Sequence, residues 1–486
     1  MKMAQEKKKI ILFLSIGLFV SLISCKKPDV SNGQAEDPAA AQSEASVSIE
    51  QAYPYAEHDF DGAAIKILAR EDGYGGQDFE DIFVAEMNGE VLNDAVYNRT
   101  LAVAEKYNVE FEIAYSGDPV GMTAKNAKAG DDAHQIVQEK LIYLQQTLAA
   151  QNYLCDFNKI YSVALEAPWY NQNILRDLSI NKKVTVLGGD MAVSDKSGIN
   201  VTMFNKKMVL DYGLGDMYKI VREGKWTLGK LQELAKATSK DLNGDGKMRF
   251  EDDQWGLMAE HLVAWCLLVS GGSRLADLDS DGMPYITANT PKAISDWDKI
   301  LDIMYDKDSR TMHSTIEGYT DIFMEGRNFL QINVMSTLFL MRAMEEDFGI
   351  IPPPKCDEAQ KDYMTAMSPW VSRFIAVPST CQNTEMVGAV IDALSRESTN
   401  TVMPAYYDNL INNKIARDEE SIEMLKMIFD SVVYDIGSIY NWGNIWLMHQ
   451  GFMDGGSKDY VSFYEKNSAA IQADLDKTIE AMLRND

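Results

Sequence analysis

Residues 63–69, AAIKILA, then 93–108, NDAVYNRTLAVAEKYN, then 109–115, VEFEIAY, decide the fold. In the first run Ile65, Ile67 and Ala69 share one face, which predicts a strand. In the last, Val109, Phe111, Ile113 and Tyr115 alternate with Glu110, Glu112 and Ala114, the pattern of a half-buried strand. Between them Asn93 is positioned to cap a helix whose Tyr97, Leu101 and Ala104 lie on one stripe. Strand, helix and strand within about fifty residues make a βαβ unit, and a sheet with helices on its faces follows.

The pattern continues outward. Residues 134–150 read as helical, and KKVTVL at 182–187 as a strand running into Gly188 and Gly189. Thr227 caps a helix that turns Leu228, Leu231 and Leu234 inward. A long helix starts near Asp418 and directs Ile422, Leu425, Ile428, Phe429 and Val432 inward; a last helix carries Ile471, Leu475, Ile479 and Leu483. The expected class is α/β, becoming helix-rich toward the end.

The chain has 486 residues, enough for two or more lobes, and 46% hydrophobic residues, enough to fill their cores. A formal charge of -27 repels phosphate backbones and argues against nucleic acid as a partner. Cys25, Cys155, Cys266, Cys356 and Cys381 form no CxxC pair, and the sequence does not decide whether the last four are paired or free. No GxSxG and no GxxxxGK[ST] occurs, which removes a nucleophile elbow and an ATP-cradling loop. Carboxylates are abundant, but abundance alone describes a solvated acidic face rather than a glycosidase pair.

The amino-terminal residues read as an address. Lys7, Lys8 and Lys9 precede an apolar run from Ile10 to Ser24 that ends at Cys25. Fifteen helical residues rise about 22 Å, short of a bilayer core of roughly 30 Å. A signal-anchor is one reading. The sharper one is a signal peptide over 1–24 with a lipobox, cleaved before Cys25, whose thiol takes a diacylglycerol. Residues 1–24 carry four basic and one acidic side chains, so the mature chain carries -30. Residues 25–57 would be the lipidated cysteine and a tether; Lys26 to Gln51 offers no large aromatic or leucine to bury.

DLNGDGKMRFEDD at 241–253 has calcium-loop spacing. Asp241, Asn243 and Asp245 stand at positions one, three and five, Gly246 at the sharp turn, Lys247 with its carbonyl at seven and Asp252 at twelve. The alternative is a polar turn rich in Asp, Asn and Gly. DLDSDGMPYITA at 277–288 ends on Ala288 and reads as a plain turn.

From Phe60 to Arg484 the chain resembles an extracellular solute-binding lipoprotein of an ABC importer, in the large family that includes many oligosaccharide-binding proteins. The resemblance rests on the opening βαβ stretch, PWYNQNILRDLSINKKVTVLGGDMAVSD at 168–195, MFNKKMVLDYGL at 203–214, VREGKWTLGKLQELAKATSKDLNGDG at 221–246, DFGIIPPPK at 347–355 and YDIGSIYNWGNI at 434–445. It implies a type II periplasmic-binding-protein fold of two α/β lobes with crossings near 190–200, 328–335 and 367–373. One lobe would be 58–190 plus 331–367, the other 196–328 plus 372–486, with solute held between them. The implied partners are a small solute, a sugar or oligosaccharide, and permease subunits. A lipid-anchored monomer facing the extracytoplasmic side is expected. A surface glycan-acting enzyme and a non-transport sensor or adhesin are the rival readings.

Within that frame Trp442 and Trp370 are either core or flat platforms for a sugar ring, and Asn441, Asp190, Arg70 and Tyr74 would bond hydroxyls. Trp265 precedes the SGGSRL loop, which the resemblance brings near the ligand because Gly271 and Gly272 permit close backbone contact. No catalytic residue is expected.

Overall fold

The computed structural model describes residues 58–71, 81–312, 316–412 and 415–483. The expected signal peptide, Cys25, the tether and Tyr74 lie outside the described residues. The strands of the two main sheets are β1 (Ala63–Arg70), β2 (Val109–Ser116), β3 (Ile136–Lys140), β4 (Asn200–Asn205), β5 (Trp255–Met258), β6 (Arg310–Thr311), β7 (Asn328–Val334), β8 (Phe348–Ile351) and β9 (Arg373–Ala376). The helices used below are α1 (Val91–Tyr107), α2 (Leu228–Thr238), α3 (Val263–Ser270), α4 (Thr384–Asn400), α5 (Val402–Asn412), α6 (Glu419–Asp430) and α7 (Tyr460–Leu483).

The opening stretch folds as the alternation dictates. β1 and β2 pair in parallel with Ile65 opposite Phe111 and Ile67 opposite Ile113. A right-handed connection through α1 joins such strands because their twist and the helix hand agree. The helix itself starts earlier than expected, at Val91, with Glu90 at its N-cap and no side-chain cap. Asn93 is not the cap: its amide donates to Glu86 O, while Asp94 holds the preceding turn through Asn88 N and Gly89 N. The buried face is Leu92, Val96, Val103 and Tyr107, with Tyr97, Leu101 and Ala104 half-buried. The expected stripe was displaced because α1 is covered from two directions, by its sheet and by α4 and α5.

Two further expectations are corrected. Residues 136–140, IVQEK, form β3 rather than the start of a helix, pairing in parallel with β1 and antiparallel with β9. Four of the five are buried, so the strand shows no alternation to read. Only from Leu141 does the chain coil, through irregular helical turns to Gln151. Residues 182–187 make no ladder. Phe157 N bonds Val184 O, Val184 N bonds the Asp156 carboxylate, and Leu187 alone bridges Ile375.

The first sheet runs β9-β3-β1-β2 and the second β8-β4-β7-β5-β6. The chain passes from the first to the second between Leu187 and Asn200. β7, where a crossing was expected, instead lies inside the second sheet between β4 and β5. Its continuation, β8, pairs with β4, so 331–367 stays with the second sheet. The return to the first sheet is at 367–373, between the Ile199–Met367 bridge and the start of β9. α4 and α5 then pack on α1, whereas α6 packs on β8. The segment 373–412 therefore belongs with the first sheet, although the resemblance placed it in the other lobe.

The helix ends read from sequence are found where a side-chain oxygen could satisfy a free amide. Thr227 Oγ1 accepts from Lys230 N at the start of α2, and Asp418 Oδ1 from Ser421 N at the start of α6. Leu228, Leu231 and Leu234 are buried, as are Leu425, Ile428 and Val432; Ile422 and Phe429 are half-buried. In α7, Ile471 and Leu475 are buried, Ile479 is half-buried and Leu483 is exposed.

Candidate functional site

In an open α/β sheet the carboxyl ends of parallel strands face the ligand crevice. Here those ends bring together Arg70, last in β1, and Glu139, near the end of β3. Arg70 Nη1 lies 3.2 and 3.0 Å from the two Glu139 oxygens. The carboxylate is fully buried and the guanidinium 13% exposed. Burial pushes the Glu139 carboxyl above its ordinary value, against the pull of Lys140 N and Arg70. Arg373 Nη1 donates to Arg70 O, so β9 also steadies this end of the sheet.

From Arg70 a track of rings leads across the junction. The guanidinium stands 5.8 Å from the centroid of Tyr143. Tyr143 meets Trp370 edge-on at 5.6 Å, Trp370 meets Trp446 at 6.5 Å, and Trp446 meets Trp265 at 5.4 Å. Tyr143 follows the first sheet, Trp370 lies on the return crossing, and Trp265 belongs to α3 of the second unit. The crossing is fastened to the Tyr143 segment by Ile142 N to Pro369 O and Leu141 N to Ser372 O. At the far end Trp265 Nε1 donates to Asp435 Oδ2 at 2.8 Å. The other Asp435 oxygen accepts from Leu275 N and Ala276 N. Burial raises the Asp435 carboxyl to about 6, against the pull of those donors. Tyr143 and Trp370 are half-buried, whereas Trp446 and Trp265 are buried.

The structure thus groups three of the expected residues, Arg70, Trp370 and Trp265, on one track. It does not bring the others there. Trp442 is 3% exposed, stacks on Tyr440 and donates from Nε1 to Thr478 Oγ1 of α7, a core position rather than an open ring face. Asn441 takes a left-handed conformation, with φ 50°, and its Oδ1 accepts from Trp446 N. It shapes the turn that delivers Trp446. Asp190 sits at the first crossing and accepts from Thr399 Oγ1 beside Lys196. Gly272 has φ 84° and faces Lys292 and Gln360.

Sequence reasoning missed Glu139, Tyr143 and Trp446. Trp446 stands four residues after Trp442, and the left-handed Asn441, Gly443 and Asn444 break helical phasing between them. That cluster of Asn and Gly is the signal that could have separated the two indoles.

The 241–253 loop is a hydrogen-bonded turn. Asp241 accepts from Gly244 N and Gly246 N, Asn243 from Asp245 N, and Asp245 from Lys247 N. Asp245 also pairs with Arg249, which lies 3.8 Å from Asp252. Asp253, rather than Asp252, closes the loop by accepting from Leu242 N and Arg249 N. Among the described residues no three His, Cys, Asp or Glu side chains gather as a metal-ligand set. The 277–288 stretch is a hairpin turn in which Asp279 accepts from Asp281 N and Met283 N. Cys155, Cys266, Cys356 and Cys381 are free thiols.

No protein-family model matches the sequence, and no curated relative matches it. Solved structures do match in shape. The maltose/maltodextrin-binding domain MalE from Bdellovibrio bacteriovorus, bound to maltotriose, aligns at TM-score 0.53 and 15% identity over 87% of this chain and 100% of its own. UgpB from Mycobacterium tuberculosis, in complex with glycerophosphocholine, aligns at TM-score 0.58 and 14% identity over 86% and 100%. An ABC transporter solute-binding protein from Thermotoga lettingae, bound with α-D-tagatose, aligns at 0.53 and 13% over 87% and 100%. The chain has the two-domain α/β fold of these periplasmic-binding-protein structures.

Proposed function

We propose that this protein captures a small polyhydroxylated solute, a carbohydrate, between its two sheet units and hands it to an ABC importer permease. The observation that carries the reading is the track Arg70–Tyr143–Trp370–Trp446–Trp265, which spans the junction and ends on ion-paired or hydrogen-bonded groups at both sides. Tyr143 and Trp370, half-buried, offer ring faces that match the apolar face of a sugar ring, while the buried Trp446 and Trp265 back them and a few fixed polar groups orient its hydroxyls. The fold shared with sugar-binding structures supports the same reading.

Capture follows from differential contact. A ligand that touches both units favours the closed arrangement over the open one, and the crossings absorb the motion. Because Glu139 offsets the Arg70 charge, the first-sheet end of the site suits a neutral ligand better than an anion. No step of this account breaks a bond in the solute.

The reading extends to the amino terminus. Cys25 would be acylated and the tether up to residue 57 would hold the body off an extracytoplasmic membrane face. Among the described residues no helix is long and apolar enough to cross a membrane. A thermal-shift series with maltotriose, tagatose, ribitol and glycerophosphocholine tests the binding claim, since a ligand held only by the folded state raises Tm. A shift with a sugar or polyol, without product formation, is expected. A shift with glycerophosphocholine alone would move the solute class to phosphodiesters.

A further inference from the structure

The buried indoles of this protein find acceptors, with few exceptions. Trp169 donates to Asp392, Trp226 to Pro352 O, Trp255 to Arg249 O, Trp265 to Asp435 and Trp442 to Thr478, at 2.8 to 3.2 Å. Trp446 does not. It is 2% exposed, and its Nε1 is buried with no acceptor among the described residues. Trp297 shares that state, but its ring packs against His449 and Tyr460, which also stack on each other, inside the helical core. Trp446 instead lies in the middle of the ring track, between Trp370 and Trp265.

A buried donor without an acceptor is costly, and what sets this one apart from the other such atoms of the described residues is its place between two rings of the track. The main chain around Trp446 leaves little room for accident. Asn441 Oδ1 accepts from Trp446 N, and Trp446 O faces His449, so the residue's own backbone is satisfied. Only the ring nitrogen waits. The rings beside it, Trp370 tilted and Trp265 edge-on, supply no strong acceptor.

We propose that the Trp446 indole N–H is a specificity-determining donor, and that a ligand oxygen supplies the acceptor it lacks. The inference rests on the carbohydrate reading above and deepens it. The group recognised is a hydroxyl or ring oxygen of a neutral sugar, presented at the edge of a ring stacked along the track. The units part to admit the ligand and close with that oxygen against Nε1. An analogue lacking the oxygen keeps the stacking and loses the bond, which is how a site built for a hydrogen bond rejects a deoxy ligand.

Phenylalanine at 446 keeps an aromatic face and removes the N–H. The Trp446→Phe protein without ligand is expected to stay folded with a Tm a few degrees below the parent, because the smaller ring leaves a cavity although no native hydrogen bond is lost. Its affinity for the sugar that binds the parent, with maltotriose as the first probe and tagatose and ribitol next, is expected to fall roughly three- to tenfold. In nitrogen–proton correlation spectra of the parent, the indole signal missing from Trp446→Phe identifies Trp446. That signal is expected to move downfield and gain exchange protection on sugar addition. Unchanged affinity in the variant, or an indole signal that sugar at saturation leaves in place, overturns the proposal while leaving carbohydrate capture intact. A parent that binds none of the probes overturns the capture reading and this inference with it.

Discussion

Gly198 and Ser372 bind the two crossing segments to each other: Gly198 N donates to Ser372 Oγ at 2.9 Å, and the same hydroxyl donates to Asp195 O at 2.7 Å. Ser368 N donates to Gly198 O at 2.7 Å, closing the contact from the other side. A Cβ on residue 198 would sit 2.6 Å from Ser368 O and 2.8 Å from Ser372 Oγ. Glycine is required there by close approach of backbone to backbone, at the place where any relative motion of the two units must turn.

Gly198→Ala should therefore destabilise the fold by about 1–3 kcal/mol, the range for overpacking a tight site. Ser372→Ala should cost about 1–2 kcal/mol through lost hydrogen bonds. Chemical denaturation of both variants checks this. A Gly198→Ala protein as stable as the parent would show that the crossings are loosely packed.

Trp370 and Trp442 should separate cleanly. Trp370→Ala is expected to weaken sugar binding by on the order of 2 kcal/mol, roughly thirtyfold, with a small change in Tm. Trp442→Ala should instead cost about 3–5 kcal/mol of stability, as for a buried aromatic cut back to alanine. Calorimetry and melting of the pair decide between the roles; the reverse assignment would exchange the two phenotypes.

Asp435 gives a pH signature. Burial raises its folded carboxyl to about 6 from 3.8. The native state then holds a proton that the unfolded state has released, so stability is highest below about 4 with respect to this group and falls as pH rises through 6. The full effect is on the order of 2–3 kcal/mol. Asp435→Asn should flatten the stability profile between pH 4 and 6 relative to the parent. Parallel profiles across that window would contradict the account.

Calcium at 241–253 remains a proposal with a sharp test. Binding requires Asp245 to exchange its Arg249 partner for the ion. A chelator should lower the Tm of calcium-loaded protein, and Arg249→Gln should enlarge that difference by freeing Asp245 and Asp252. Identical melting with and without chelator in both proteins would leave the loop a plain turn.

Cys25→Ser should leave the protein unacylated, because the thiol is the proposed attachment point. Mass spectrometry of the native amino terminus reads this directly; a parent without lipid contradicts it.

What the sequence revealed followed from local periodicity. Ile65, Ile67, Phe111 and Ile113 alternate against solvent-facing glutamates and lysine, so β1 and β2 were legible. IVQEK was not, because a strand between two neighbours and under helices buries Gln138 and Glu139 together with Ile136 and Val137, so its polar residues mark no exposed face. The lobe assignment failed at β7 for a related reason: a central strand and a crossing strand look alike until their partners are known. The site was only partly legible. Arg70 and Trp370 could be suspected individually, but Glu139 meets Arg70 across 69 positions, and no spacing rule reaches that far. Trp446 was hidden behind Trp442, whose more conspicuous YNWGN setting is a turn that packs one indole on Thr478 and sends the other to the junction.

The central claim is capture of an unmodified small carbohydrate on the ring track. Titration calorimetry of the parent and Trp370→Ala with maltotriose, tagatose and ribitol, followed by chromatography of the recovered ligand, tests it most directly. The account predicts saturable binding of at least one of them by the parent, binding weakened roughly thirtyfold in the variant, and ligand recovered intact. Absence of saturable binding, equal affinity in the two proteins, or conversion of the ligand to products would contradict it.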